Sequence, residues 1–219
     1  RDPDTGEGMT DRQLRDEVMT IFLAGHETTA LATAWAWYLL AQHPDVLRRL
    51  EVELDAVLSG RAPSYEDLER LTYTRMVVEE TMRLYPPAWG FSRTALAPDR
   101  IGEYDLPRGW LVFVVPWVMH RHPKYWDDPE RFDPERFSPA RTAARPKFIY
   151  LPFGAGPRQC IGNHFAMTEA LIIVATLAQR FRLHLASPQL VEPRPLITLR
   201  PGNGVRMAID ARTVYPSHA

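Results

Sequence analysis

The chain has 219 residues, 45% hydrophobic and 24% charged, with a net charge of −1. That composition describes a folded chain with ample core material and argues for neither nucleic-acid nor membrane binding. The single cysteine, Cys160, excludes an internal disulfide and any multi-cysteine zinc or iron–sulfur site.

No apolar run reaches the length of a membrane span and no signal-peptide pattern is present, which fits a cytoplasmic protein. The opening R-D-P-D-T-G-E-G reads as an interior surface loop, so an N-terminal anchor, if the native chain has one, would lie upstream.

Thr10 and Gln13 form a capping-box pattern. A long helix is expected from Asp11 to about Gln42, because Leu14, Val18, Ile21, Phe22, Leu31, Trp35 and Leu39 recur at helical spacing. Apolar side chains surround this helix, so an exposed apolar surface is expected along residues 14–40. Pro44 ends the helix and opens an amphipathic one, Asp45 to Leu58. Ser64 caps a short helix through Leu71, and Thr74 to Leu84 forms another, closed by Pro86-Pro87.

β-branched and aromatic residues then mark short strands between Trp89 and Val115. Residues 121–152, rich in Pro, Arg and Asp, read as a long ordered loop. A helix follows Cys160 to about Arg180. Two strand-like runs then flank a turn at Pro201-Gly202-Asn203-Gly204.

The chemistry centres on F-G-A-G-P-R-Q-C-I-G, Phe153 to Gly162. A thiolate at a helix N-terminus is stabilised by free backbone N–H groups and the helix dipole. Glycines around it let a bulky planar group approach the backbone. An isolated buried structural cysteine is the plainer reading. The glycines do not make a dinucleotide loop, since Gln159 stands where the third glycine belongs, nor a phosphate loop, which needs Lys-Ser/Thr.

Two further clusters stand out. Ala24-Gly25-His26-Glu27-Thr28-Thr29 interrupts the first helix with a glycine, and Glu27 beside Thr28 offers an acid and an alcohol for proton relay. A packing notch and a solvated charge are the plain alternative. His26-Glu27 is not half of a zinc-protease helix, because Ala30 stands where the second His belongs. Glu80 and Arg83, at i and i+3, face one another on a helix.

The spacing F-x-x-G-x-R-x-C-x-G resembles the haem-binding signature of the cytochrome P450 family. Ala24 to Thr28 is similar to that family's oxygen-activation motif, Glu80-Thr81-Met82-Arg83 to its E-x-x-R pair, and Pro134-Glu135-Arg136-Phe137 to its P-E-R-F segment. The resemblance spans nearly the whole chain and implies a mainly α fold with small β-sheets (α+β), the C-terminal half of that family's fold. Residues 1–219 would then be a single partial domain lacking its N-terminal half.

It implies haem b (iron protoporphyrin IX) bound through the Cys160 thiolate. Phe153, Gly154, Gly156, Gly162, Ala24 and Gly25 would line the cofactor. Arg158 and Arg93, with His120 as a further candidate, would meet its propionates. Backbone N–H groups near Ile161 and Gly162 would bond the sulfur. Glu27 and Thr28 become the catalytic relay, and Glu80, Arg83 and Arg136 a structural network.

The implied activity is monooxygenation: O₂ is activated with electrons from a ferredoxin or flavoprotein reductase, and one oxygen atom enters a small lipophilic substrate. Trp89, Ala88 and Leu196 to Thr198 resemble pocket segments. Arg131, Arg136, Arg141, Arg145 and Lys147 make a basic loop, either simply solvated or suited to an acidic electron donor. Two alternatives stand beside this: a peroxide-using or rearranging haem-thiolate enzyme, which the intact Glu27-Thr28 pair disfavours, and an inactive truncated haem-binding fragment.

Overall fold

The structure is a computed structural model and describes residues 4–212. Its first helix, α1, spans Asp11–Gln42. Thr10 caps it as the sequence suggests: its hydroxyl accepts from Gln13 N at 3.3 Å, and Gln13 Oε1 accepts from Thr10 N at 2.9 Å. Pro44 stops α1 and starts α2, Pro44–Leu58. Ser64 then caps only a single 3-10 turn, Tyr65–Asp67, shorter than expected. Arg61 claims the Asp67 carboxylate from outside that turn. α3 spans Thr72–Leu84, and α6, the helix after Cys160, spans Asn163–Arg180.

The main core lies where the second half of α1 packs against α2, α3 and α6. Ala36, Leu40, Leu50, Leu54, Val77, Leu171 and Val174 meet there, all essentially without solvent contact. Burying a side chain of this kind stabilises by about 1.5–3 kcal/mol. A second cluster stacks Trp35 on Tyr85, ring centroids 4.0 Å apart, with Tyr38 edge-on.

The expectation of an exposed apolar surface over residues 14–40 holds only for its first part. Leu14, Val18, Ile21, Phe22 and Leu23 are each more than half exposed. Trp35, Trp37, Leu39 and Leu40 are buried, because α3, α6 and the final strands wrap that half of the helix.

The strands form four antiparallel pairs. β1 (Phe91–Thr94) pairs with β4 (Leu111–Val114), with Arg93 opposite Val112. β2 (Asp99–Ile101) pairs with β3 (Tyr104–Leu106). In the tail, β7 (Leu199–Pro201) and β8 (Met207–Ala211) do flank the predicted turn, but they do not pair with each other. β7 pairs with β6 (Pro193–Pro195), and β8 with β5 (Phe181–Leu185).

The segment 121–152 is also more structured than a loop. After α4 (Pro116–Met119) come a 3-10 turn, Pro134–Phe137, and α5, Pro139–Ala144. Asp133 caps the turn by accepting from Glu135 N at 3.1 Å. Prolines open both helical pieces, and each is too short for a hydrophobic period to show.

Candidate functional site

Cys160 lies in the segment between α5 and α6, two residues before the helix N-cap, Gly162. Its side chain is exposed, and its backbone N–H donates to the Phe153 carbonyl at 3.0 Å. That bond closes the motif on itself. Gly154 and Gly156 sit at φ +68° and +73°, where a Cβ would strain the backbone. Phe153 packs its half-buried ring against the main core, which fixes the loop's base. Among the described residues no hydrogen bond reaches the sulfur; a Cβ added to Gly162 would lie 3.8 Å from Sγ.

Arg158, in a 3-10 turn Gly156–Arg158, is exposed. Arg93 is exposed on β1, with its guanidinium near the Phe91 ring and donating to the Ser92 carbonyl at 2.8 Å. Both remain able to meet an anionic group.

His120 does not. It is fully buried, its Nδ1 lies 3.3 Å from the Arg83 carbonyl, and its Nε2 accepts from Leu151 N at 2.8 Å. Burial pushes its pKa down to about 3, so the ring is neutral. A neutral ring with both nitrogens engaged by backbone cannot bind a propionate, and its role is to join α4 to the segment before the cysteine loop.

The Glu80–Arg83–Arg136 network is present and extensive. Arg83 and Glu80 are both inaccessible to solvent. Arg83 donates to both Glu80 oxygens, at 2.6 and 2.8 Å. It also donates to the carbonyls of His120, Pro129 and Arg131, at 2.8, 2.7 and 3.1 Å. Glu80 Oε1 accepts from Asp133 N at 2.9 Å, and Arg136 Nε lies 3.4 Å away as an ion pair. Burial pushes the Glu80 carboxyl up; Arg83's hydrogen bonds and charge oppose it. Arg136 and Arg145 are therefore inward-facing, with Arg145 stacked near Trp126 and Phe137, and do not belong to the basic surface the sequence suggested.

On α1, Ala24 and Gly25 are exposed, and a Cβ on Gly25 would meet nothing within 4 Å. Thr28 lies one turn on, its hydroxyl donating to the Ala24 carbonyl at 2.8 Å. Glu27 turns to the β6–β7 hairpin. Its Oε1 accepts from Thr198 Oγ1 at 2.8 Å and from Arg200 Nε at 2.6 Å. Thr198's hydrogen bond, then Arg200, hold this carboxyl below the usual carboxylate range.

Arg200 was not visible as a site residue in the sequence. The signal would have been a cation needed opposite Glu27, but 173 positions separate the two. Among the described residues no group of three or more His, Cys, Asp or Glu could hold a metal ion. No described helix is long and apolar enough to cross a membrane.

The described residues thus offer one exposed cysteine in a glycine loop and, on α1, an exposed stretch of small residues. The family model described as Cytochrome P450 matches residues 1–205. This chain belongs to the cytochrome P450 family. It is 44% identical to cyclooctatin synthase of Streptomyces melanosporofaciens over 92% of this chain and 44% of that protein. It is 37% identical to pentalenene oxygenase of Streptomyces avermitilis over 97% of this chain and 47% of that protein. Its fold superposes on the crystal structure of the cytochrome P450DA heme domain with a TM-score of 0.91 at 33% identity, covering 97% of this chain and 48% of the other. The chain thus spans about half the length of the relatives it matches.

The residues present fit a haem-thiolate centre. One soft donor, Cys160, is exposed in a loop turned by glycines at positive φ, two exposed guanidinium groups are available, and the α1 notch has open space.

Proposed function

We propose that this chain carries the thiolate and proton-handling part of a haem-thiolate monooxygenase acting on a small lipophilic organic substrate. Bound haem would supply an iron centre that takes electrons from a ferredoxin or flavoprotein reductase and activates O₂, so that one oxygen atom enters the substrate. Cys160 Sγ is the residue to hold the iron, and Arg93 and Arg158 are the cations for the propionates. Gly154 and Gly156 keep the loop backbone flat against the group. Ala24 and Gly25 leave room on the opposite helix. Thr28 and Glu27 supply a hydroxyl and a carboxylate for proton delivery.

The observation that carries this reading is the exposed Cys160, fixed by its N–H bond to Phe153 between glycines of positive φ. Relatives named cyclooctat-9-en-7-ol 5-monooxygenase and pentalenene oxygenase support the reaction class and an apolar substrate. The reduced CO spectrum of the haem-loaded protein tests it. A thiolate-type Soret band is expected in the native protein and its loss in Cys160→His. A band retained at its original position in that variant would refute the ligand assignment.

A further inference from the structure

Glu27 is an anchored acid, not a mobile one. Both of its protein hydrogen bonds go to the same oxygen, Oε1, from Thr198 Oγ1 at 2.8 Å and Arg200 Nε at 2.6 Å. Arg200 Nη2 lies 2.5 Å from the same atom. Oε2 has no hydrogen-bond partner among the described residues.

The donors are themselves fixed. Leu199, between them, donates its N–H to the Pro87 carbonyl at 2.9 Å. Its own carbonyl accepts from Trp35 Nε1 on α1 at 3.0 Å. At the hairpin tip, the Leu196 carbonyl accepts from Trp89 Nε1 at 2.8 Å. Thr198 is nearly buried, and Trp35 fully so. The hairpin is thus tied to α1 at two points about two helical turns apart, and its tip exposes Leu196 and Ile197, apolar and side by side.

We propose that Thr198 and Arg200 are positioning residues for proton delivery: they hold Oε1 of Glu27 to the β6–β7 hairpin so that Oε2 alone takes up and releases the proton beside Thr28. A carboxylate gripped at one oxygen loses rotational freedom and keeps a single basic atom for proton exchange. The proton enters Oε2 from water and leaves to a hydroxyl or water next to Thr28, with no other bond changed. The charged and titratable groups acting on the carboxylate are Arg200 from the hairpin and His26 from α1 itself. The catalytic consequence rests on the haem-thiolate reading; the anchoring does not.

Infrared difference spectra of haem-loaded protein, labelled with ¹³C-glutamate, read the Glu27 carboxyl against pH, and Glu27→Gln identifies its band. In Arg200→Gln and Thr198→Val that titration should move to higher pH. It should return toward native in Arg200→Lys and Thr198→Ser, which keep the charge and the hydroxyl. The share of reducing equivalents recovered as product should fall in the first pair, with its pH profile displaced the same way. A purely structural ion pair would move the titration and thermal stability but leave the share of reducing equivalents recovered as product, and its pH profile, unchanged; that result would overturn the proposal. An unmoved titration in Arg200→Gln would overturn the proposal; that side chain is half exposed, so the variant is expected to fold. A missing thiolate-type CO band in native protein would instead strike the haem-thiolate reading and leave the titration result standing on its own.

Discussion

Arg83→Lys keeps the charge of the buried network and removes its geometry. All five guanidinium N–H groups of Arg83 are used: two on Glu80 and one each on the carbonyls of His120, Pro129 and Arg131. A lysine ammonium has three donors on one atom. At least two acceptors must therefore lose their partner inside a region closed to water. Each buried polar group left unsatisfied costs about 1–3 kcal/mol. Neighbouring losses of this kind share relaxation and do not add fully. The expected destabilisation is about 2–4 kcal/mol, a large part of the roughly 5–15 kcal/mol that holds a typical fold. Arg83→Ala should cost more, about 3–5 kcal/mol, because Glu80 then keeps only Arg136 as a counter-charge. Denaturant unfolding of the haem-loaded protein, followed by tryptophan fluorescence, measures both; haem content reports on the cysteine loop. Arg83→Lys within about 0.5 kcal/mol of native, the ordinary range of a surface change, would refute the claim that the five-donor fork is required.

Thr28→Ala should retain haem and substrate but divert reducing equivalents to peroxide, because the alcohol of the acid–alcohol pair is gone; the ratio of product formed to reductant consumed measures this, and an unchanged ratio would exclude Thr28. His120 gives a pH prediction. Its folded pKa, about 3, lies below its ordinary value of 6.5, so the unfolded chain binds the extra proton and stability falls as pH drops through that window. The slope reaches at most about 1.4 kcal/mol per pH unit. Glu79, pushed up to about 6 by burial, contributes with the opposite sign between its ordinary 4.5 and that value. Unfolding free energies of native and His120→Gln protein across pH 3 to 7 separate the two, since only the native curve should carry the histidine component.

The helices were legible because their signals are local. Thr10 and Gln13, Pro44, and the apolar repeats of α1, α2 and α6 each act within a few residues of the boundary they set. The Glu80–Arg83 pair was legible for the same reason, being one helical turn apart. Strand partners in the tail were not. A hairpin at the Pro201 to Gly204 turn is the local solution, yet β5 runs straight out of α6 and captures β8 across the chain, leaving β7 to β6. His120 shows the limit most sharply. In sequence it is one of seven histidines near a strand end, with nothing to separate a cofactor ligand from a core residue. What decides is the Leu151 amide, 31 positions away, which needs an acceptor as the chain passes α4 toward the cysteine loop.

The two ends of α1 carry the same lesson into function. Six of the ten residues from Leu14 to Leu23 are apolar and nine of the ten from Leu31 to Leu40, yet among the described residues only the second stretch is covered by partners from this chain. Glu27 and Thr28 lie at the crossing between them, where the helix passes from open to packed. Under the proposed function, a relay placed there would have one side firm enough to orient a carboxylate, through Thr198 and Arg200, and an exposed side with open space at Gly25 to receive the cofactor. Periodicity alone reads a single uniform helix across this point. The difference in burial between its halves depends on which distant elements fold back onto it, and under the proposed function that difference is what would turn an acid and an alcohol on a helix into a positioned pair.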